Sequence, residues 1–174
     1  MRSVTTHCRR PSYPDLVKAA SASRDSDVLC SVQRSLDVLG DRWSLLILRE
    51  SFRGVTRYSD FRAALGIAPD ILSQRLGVLV EGNVLEKRSY REPGSRTRDS
   101  YHLTDAGEQA KLLLGALQQW GDDYQPHPNG PSALRRSTRT GRPLRVAFIE
   151  EESDSGVPLD DVDLLVDPST SRTD

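Results

Sequence analysis

Cysteine is scarce in this chain: Cys8 and Cys30 are the two among 174 residues, too few for a disulfide framework. No apolar run approaches the ~20 residues of a membrane-spanning helix, and the stretch from Met1 to Cys30, although it carries Arg2, Arg9 and Arg10, lacks the apolar centre of a secretory signal. The expectation is a cytoplasmic protein with no membrane partner. His7, His102 and His127 stand at no metal-ligand spacing from either cysteine. No glycine-rich phosphate loop follows a strand pattern, and no Ser/His/Asp set is anchored by a nucleophile turn. These absences argue against a metal, a cofactor and an enzyme.

A large excess of one charge is also missing. The formal net charge is -1, which argues against a protein that coats nucleic acid through bulk charge, but the local balance is uneven and local charge is what meets a phosphate backbone. Between Lys87 and Arg98 five basic residues (Lys87, Arg88, Arg91, Arg96, Arg98) stand against one acid, Glu92. Acids collect elsewhere, at Glu150, Glu151 and Glu152 and at Asp160, Asp161, Asp163 and Asp167.

Residues 1–29 mix Ser, Thr, Pro and scattered charge with little periodicity and read as a flexible arm. A first helix fits Ser31 to Leu39, with Val32, Leu36 and Leu39 at helical spacing and Gly40 as its stop. A second begins at the cap Asp41 and carries Trp43, Leu46, Ile47 and Leu48 on an apolar face, ending at Gly54. A short third helix takes Ser59 as its cap, places Phe61 and Leu65 on one side, and closes at Gly66. Pro69 then suits the first position of a fourth helix, because its missing N–H would have had no intrahelical acceptor. The inward row of that helix is Leu72, Leu76, Leu79 and Val80, which leaves Asp70, Ser73, Gln74 and Gly77 outward and Arg75 at the margin.

After the breaker Gly82-Asn83, Val84–Arg91 and Asp99–Leu103 read as two strands around a long basic tip. Thr104-Asp105 caps a last long helix with Leu113, Leu117, Trp120 and Tyr124 in one stripe. Pro126 to Pro131 is a linker by composition. Beyond it, Leu144–Ile149 and Asp163–Val166 look like two short strands joined by an acidic loop, a hairpin that needs something to dock on. The reading is mainly α with a small β-hairpin (α+β): a winged helix-turn-helix over residues 30–125, a linker over 126–143, a small β extension over 144–168 and a tail over 169–174.

Cys30, Leu36, Gly40-Asp41-Arg42-Trp43, Leu46-Ile47-Leu48-Arg49, Gly54, Arg57-Tyr58, Phe61, Leu65, Ile67, Ile71-Leu72, Gln74-Arg75-Leu76, Leu79, Gly82, Tyr101, Leu103-Thr104, Gly107 and Trp120, taken together in order and spacing, resemble the HxlR-type winged-helix transcriptional regulators of bacteria. The resemblance covers roughly residues 30–124. It implies a homodimer pairing mainly through its first and last helices, by Val32, Leu36, Leu113, Leu117, Trp120 and Tyr124, with two reading helices in successive major grooves of a partly palindromic double-stranded DNA operator. In some members of that family a cysteine at the place of Cys30 is a thiol sensor. The alternative for Cys30 is an inert residue in the dimer core.

The chemistry of the fourth helix stands without the resemblance. A helix fits the major groove and offers its first turns to base edges there, where Gln pairs with adenine and Arg with guanine. The candidate DNA contacts are Pro69, Asp70, Ser73, Gln74 and Arg75, with Arg88, Arg91, Arg96 and Arg98 of the hairpin on phosphates or in the minor groove. Against this, Gln74, Arg75 and the hairpin tip are ordinary solvated surface. Ala68 stands where a capping serine is common in the family, and Asp70 where a basic residue is common. The C-terminal hairpin has three candidate roles: docking on the rest of the molecule, forming part of a small-molecule effector site, or shielding the basic hairpin. Simple docking is the favoured one. The function expected is a DNA-binding regulator, more specifically a repressor, controlled by a thiol reaction or a small effector; the rival is a winged-helix protein-interaction module that never binds DNA.

Overall fold

The computed structural model describes residues 30–164 apart from Glu92, Ser95 and Ser132. Cys8, the arm over residues 1–29 and the end of the chain from residue 165 lie outside the described residues. The unit described below starts at Ser35, and Cys30–Arg34 belong to the preceding one.

Five α-helices and a two-stranded antiparallel hairpin make up the first part. They are α1 (Ser31–Leu39), α2 (Arg42–Phe52), α3 (Tyr58–Leu65), α4 (Pro69–Glu81), β1 (Leu85–Tyr90), β2 (Arg98–Leu103) and α5 (Asp105–Tyr124). The caps explain most of these boundaries. The Asp41 carboxylate accepts from the Trp43 N–H at 2.8 Å and opens α2. Gly66 ends α3 in the left-handed region at φ 60°, where an L side chain is strained and glycine is not. Thr104 Oγ1 accepts from the Gly107 N–H at 3.0 Å to start α5 and donates to the Asn83 carbonyl at 2.6 Å, so the cap also ties α5 to the end of α4.

The third helix starts differently from the sequence expectation. Ser59 is not its cap. The helix begins at Tyr58, with Arg57 in the cap position making no side-chain cap bond, and the Ser59 hydroxyl donates to Asp60 at 3.0 Å. The cause is tertiary. The Tyr101 N–H donates to the Thr56 carbonyl at 2.7 Å, and Arg57 bridges Ser100, so the two residues before α3 are held extended against β2 and the helix starts directly after them.

Ile47 and Leu48 of α2, Phe61 of α3, Ile67 of the turn, Leu72, Leu76 and Leu79 of α4, Val84, Leu85 of β1 and Ala110 of α5 form one buried cluster. Each large apolar side chain so buried contributes about 1.5–3 kcal/mol. Ser44 Oγ in this interior is fully buried without a hydrogen-bond partner among the described residues. The Glu50 carboxylate, also buried, is instead held by Arg49 at 2.7 Å and Arg53 at 3.0 Å.

The C-terminal segment docks on α5. The Gln119 amide closes a two-bond ring with the Val146 backbone, accepting its N–H at 3.0 Å and donating to its carbonyl at 3.1 Å. Gln118 donates to the Ala133 carbonyl at 2.6 Å, and Arg135 pairs with Asp122 at 3.0 Å. Gly115 gives Val146 room, because a Cβ there would sit 3.1 Å from the valine methyl. The strands themselves correct the sequence reading. β3 is Phe148–Ile149, but its partner β4 is Gly156–Val157, inside the stretch read as an acidic loop, while Asp163 and Leu164 are not in a strand. The Asp154 N–H donates to the Glu150 carbonyl at 3.1 Å and the Glu150 N–H to the Ser155 carbonyl at 3.0 Å. With Asp154 at φ 53° these bonds fold the chain back early.

Two glycines in helices separate backbone cost from space. A Cβ on Gly77 meets nothing within 4 Å, whereas one on Gly107 falls 2.1 Å from the Val84 carbonyl oxygen. Gly77→Ala is expected to stabilise the fold by about 1 kcal/mol through helix propensity, and Gly107→Ala to destabilise it by about 1–3 kcal/mol through overpacking. Urea midpoints of the two variants measure this, and equal shifts would refute the packing at the α5 start.

Candidate nucleic-acid interface

The chain direction turns by 119° between α3 and α4, within the range of a helix-turn-helix. Leu72, Leu76 and Leu79 sink into the core, so the sector carrying Pro69, Asp70, Ser73 and Gln74 is left exposed. Ala68 caps α4 without a side-chain bond, and the first-turn amides of a helix favour an anion when no side chain takes them. Asp70 in that turn opposes a phosphate there.

Tyr58 holds the start of this helix. Its hydroxyl lies 2.7 Å from the Pro69 carbonyl and 3.2 Å from Ser73 Oγ, which is itself 2.9 Å from the same carbonyl. Two hydroxyl protons thus serve three contacts, and Ser73 retains acceptor capacity for an incoming donor. Tyr101 of β2 lies nearby. Burial raises its phenol above the ordinary tyrosine value, with Asp99 and Tyr58 adding to the shift. Sequence reasoning missed Tyr58 as a site residue, because its partner is eleven residues away and the bond depends on the turn angle.

The arginines separate by their partners. Arg75 does not point outward with Gln74. Its Nε lies 3.7 Å from Asp41 Oδ1, and its side chain is 24% exposed. Arg88 is paired with Glu86 at 2.6 Å on the same strand. Arg91 is exposed. Arg96 and Arg98 are exposed and have no ion pair among the described residues. The wing they sit on is fixed in the register Leu85↔Leu103 to Tyr90↔Arg98, and Arg57 lies 4.9 Å over the ring of Tyr90, the last residue of β1 before the tip.

The candidate dimer residues are exposed in the single chain: Val32 and Leu36 on α1, and Leu113, Leu117, Trp120 and Tyr124 in one stripe of α5. Trp120 is 58% exposed, and its ring lies 5.7 Å from that of Tyr124. Leu112, which widens the apolar surface of α5, is 58% exposed. Cys30 is free and exposed, and its carbonyl accepts from the Arg34 N–H at 3.1 Å.

The family model of HxlR-like helix-turn-helix proteins matches residues 38–129. The chain belongs to this family. An HTH-type transcriptional regulator of Mycobacterium tuberculosis is 44% identical over 111 residues, which are 64% of this chain and 69% of the relative. Another, of Synechocystis, is 32% identical over 97 residues, 55% of this chain and 70% of the relative. Among solved structures, the transcription factor PA1607 is 34% identical with a TM-score of 0.69, covering 83% of this chain and all (100%) of its own. PA1374 of Pseudomonas aeruginosa is 32% identical with a TM-score of 0.58, covering 82% of this chain and 95% of its own. Both matches cover more of the chain than residues 1–125 could supply, so the likeness of this HxlR-type chain to them runs past the end of α5 into the segment after it. Among the described residues no single helix is long and apolar enough to cross a membrane.

Within this HxlR-type domain, Tyr58→Phe removes one neutral hydrogen bond, a loss of about 1 kcal/mol. The expected signature is faster hydrogen exchange at Leu72 and Ser73 than in the wild type, with exchange in α5 unchanged. Uniform acceleration across all helices would mean that Tyr58 serves the whole core and not the start of α4.

Proposed function

We propose that this transcriptional regulator works as a homodimer that binds a partly palindromic DNA operator, most simply as a repressor, with α4 in the major groove and the wing on flanking phosphates or in the minor groove. The observation that carries the reading is the division of α4: one side is core, and the other presents Pro69, Asp70, Ser73 and Gln74 to solvent, with Arg75 at the margin. Arg88, Arg91, Arg96 and Arg98 supply the charge of the wing, and Arg96 and Arg98 are its most available members. The dimer is proposed from the exposed apolar residues of α1 and of α5, taken helix by helix, since apolar side chains lined up on an exposed helix face mark an interaction site. A groove-reading dimer must hold its two reading helices about one DNA turn apart, so a change at the dimer helices alters operator affinity.

Selection of bound duplexes from a random pool tests this directly. A two-fold symmetric consensus is expected, with affinity falling steeply as salt is added and a flatter slope for the Arg96→Ala, Arg98→Ala double variant. Binding through the acidic C-terminal hairpin to a protein partner, the rival reading, gives no enriched duplex.

Two modes of control remain in the proposal. The exposed Cys30 thiol supports a response to oxidants or electrophiles. A cavity of about 840 Å³ between the end of α5 and the segment after it, lined by Gln118, Asp122, His127, Leu134 and Arg135 among others, supports a small-molecule effector. Cys30→Ser distinguishes them: it is expected to abolish any loss of operator binding caused by oxidant while leaving reduced-state affinity nearly unchanged. A retained oxidant response would exclude Cys30 as the sensor.

A further inference from the structure

Resting on the proposed DNA reading, we infer that Arg75 is a positioning residue and not a base reader: its contact with Asp41 fixes the angle of α4 against the α1–α2 corner, and so sets the half-site spacing that the dimer accepts. Asp41 has two duties at one oxygen. Oδ1 accepts the Trp43 N–H at 2.8 Å, which starts α2, and it faces Arg75 Nε at 3.7 Å. That Nε is buried and has no hydrogen-bond partner among the described residues, so the carboxylate is the group that balances it. Swinging the arginine outward would give up that balance and open the seam between α2 and α4.

The position of Asp41 gives the contact its consequence. It follows Gly40, whose N–H closes on the Leu36 carbonyl at 2.8 Å and ends α1. A second tie joins α1 to the far end of α4, because a Cβ on Gly82, the C-cap residue, would lie 2.6 Å from Val38 Cγ1. The reading helix is therefore held to the α1 end near its middle, through Arg75, and at its C-terminal end, through Gly82. A helix of 13 residues is about 20 Å long, so a tilt of about 10° moves its far end by about 3 Å, close to one base-pair step. In a dimer joined through α1, an error of that size in each copy is enough to mismatch two half-sites.

The test uses the full chain, with Asp41→Asn, Arg75→Met and the double variant. Asn keeps the helix cap and removes the charge, and Met keeps an unbranched stem. Two measurements are made. Without DNA, the Arg75 Nε–H resonance is followed by nitrogen-15 NMR and is expected to shift in Asp41→Asn. With DNA, affinities are compared for the selected operator and for operators with the half-site spacing changed by one base pair. Each single variant is expected to lose about fivefold of the spacing discrimination, the double variant no more than either single, and all three to keep the wild-type salt slope.

A salt slope lowered by about 0.9 in Arg75→Met, one phosphate's share, overturns the inference, as does loss of preference at one base pair in Arg75→Met when Asp41→Asn binds as the wild type does. An unmoved Arg75 resonance overturns the pair itself. If the wild type selects no duplex, the functional reading and the spacing role fall together, and the resonance, which needs no DNA, still reports whether the ion pair exists.

Discussion

The burial of Leu72, Leu76 and Leu79 beneath α4, against Ile47 and Leu48 of α2 and Phe61 of α3, decides which side of α4 remains outside. A helix has one orientation in which these three residues are covered together, so their removal from water fixes the rotation of Ser73 and Gln74 toward solvent. Burial of three leucines exceeds, by several-fold, what any surface hydrogen bond on the same helix contributes. The polar contacts therefore adjust a helix already placed. Tyr58 sets its first turn against α3, and Asp41 meets it from α2.

The last helix is partitioned in a comparable way, between two neighbours and solvent. Gly107 and Ala110 are buried on the core side. Gly115, Gln118, Gln119 and Asp122 receive the C-terminal segment. Leu113, Leu117, Trp120 and Tyr124 remain exposed, and by helical periodicity Gly115, Gln118 and Asp122 fall on the opposite side from that stripe. The docked segment thus leaves the apolar stripe open. Its Val146 and Ala133 backbone groups are met by the Gln119 and Gln118 side chains of α5, and its Arg135 by Asp122, which suits a segment with few buried apolar groups of its own, since a two-stranded hairpin alone is marginal.

Much of this was legible in the sequence because it rests on local signals. Asp41, Thr104, Gly66 and Pro69 mark helix ends through bonds or conformations that span a few residues, and the leucine spacing marks the buried side of α4. The features that escaped depend on residues brought together by the fold. Arg75 looks like a groove reader on a helical wheel, and its turn toward Asp41 follows from a contact across 34 positions of chain. The start of α3 was misplaced by one bond from Tyr101 to Thr56. The second C-terminal strand was misplaced because Asp154 adopts a left-handed conformation, which aspartate takes more readily than most residues but which its sequence neighbours do not announce.

Pairing, and not composition, determines which positive charges this nearly neutral chain can offer to a polyanion. Arg49 and Arg53 are committed to Glu50, Arg75 to Asp41, Arg88 to Glu86, Arg135 to Asp122 and Arg145 to Asp123. An arginine already facing a carboxylate gives up that attraction when it meets a phosphate, a small loss for an exposed pair such as Arg88–Glu86 and a larger one for a half-buried pair such as Arg75–Asp41, whereas one without a carboxylate partner gives up nothing. Arg96 and Arg98 have no ion pair among the described residues, and they stand on a wing whose second strand is tied to the start of α3 through Arg57 and Tyr101. A count of basic residues along the hairpin therefore overstates the charge it can offer, because part of that charge already faces a carboxylate.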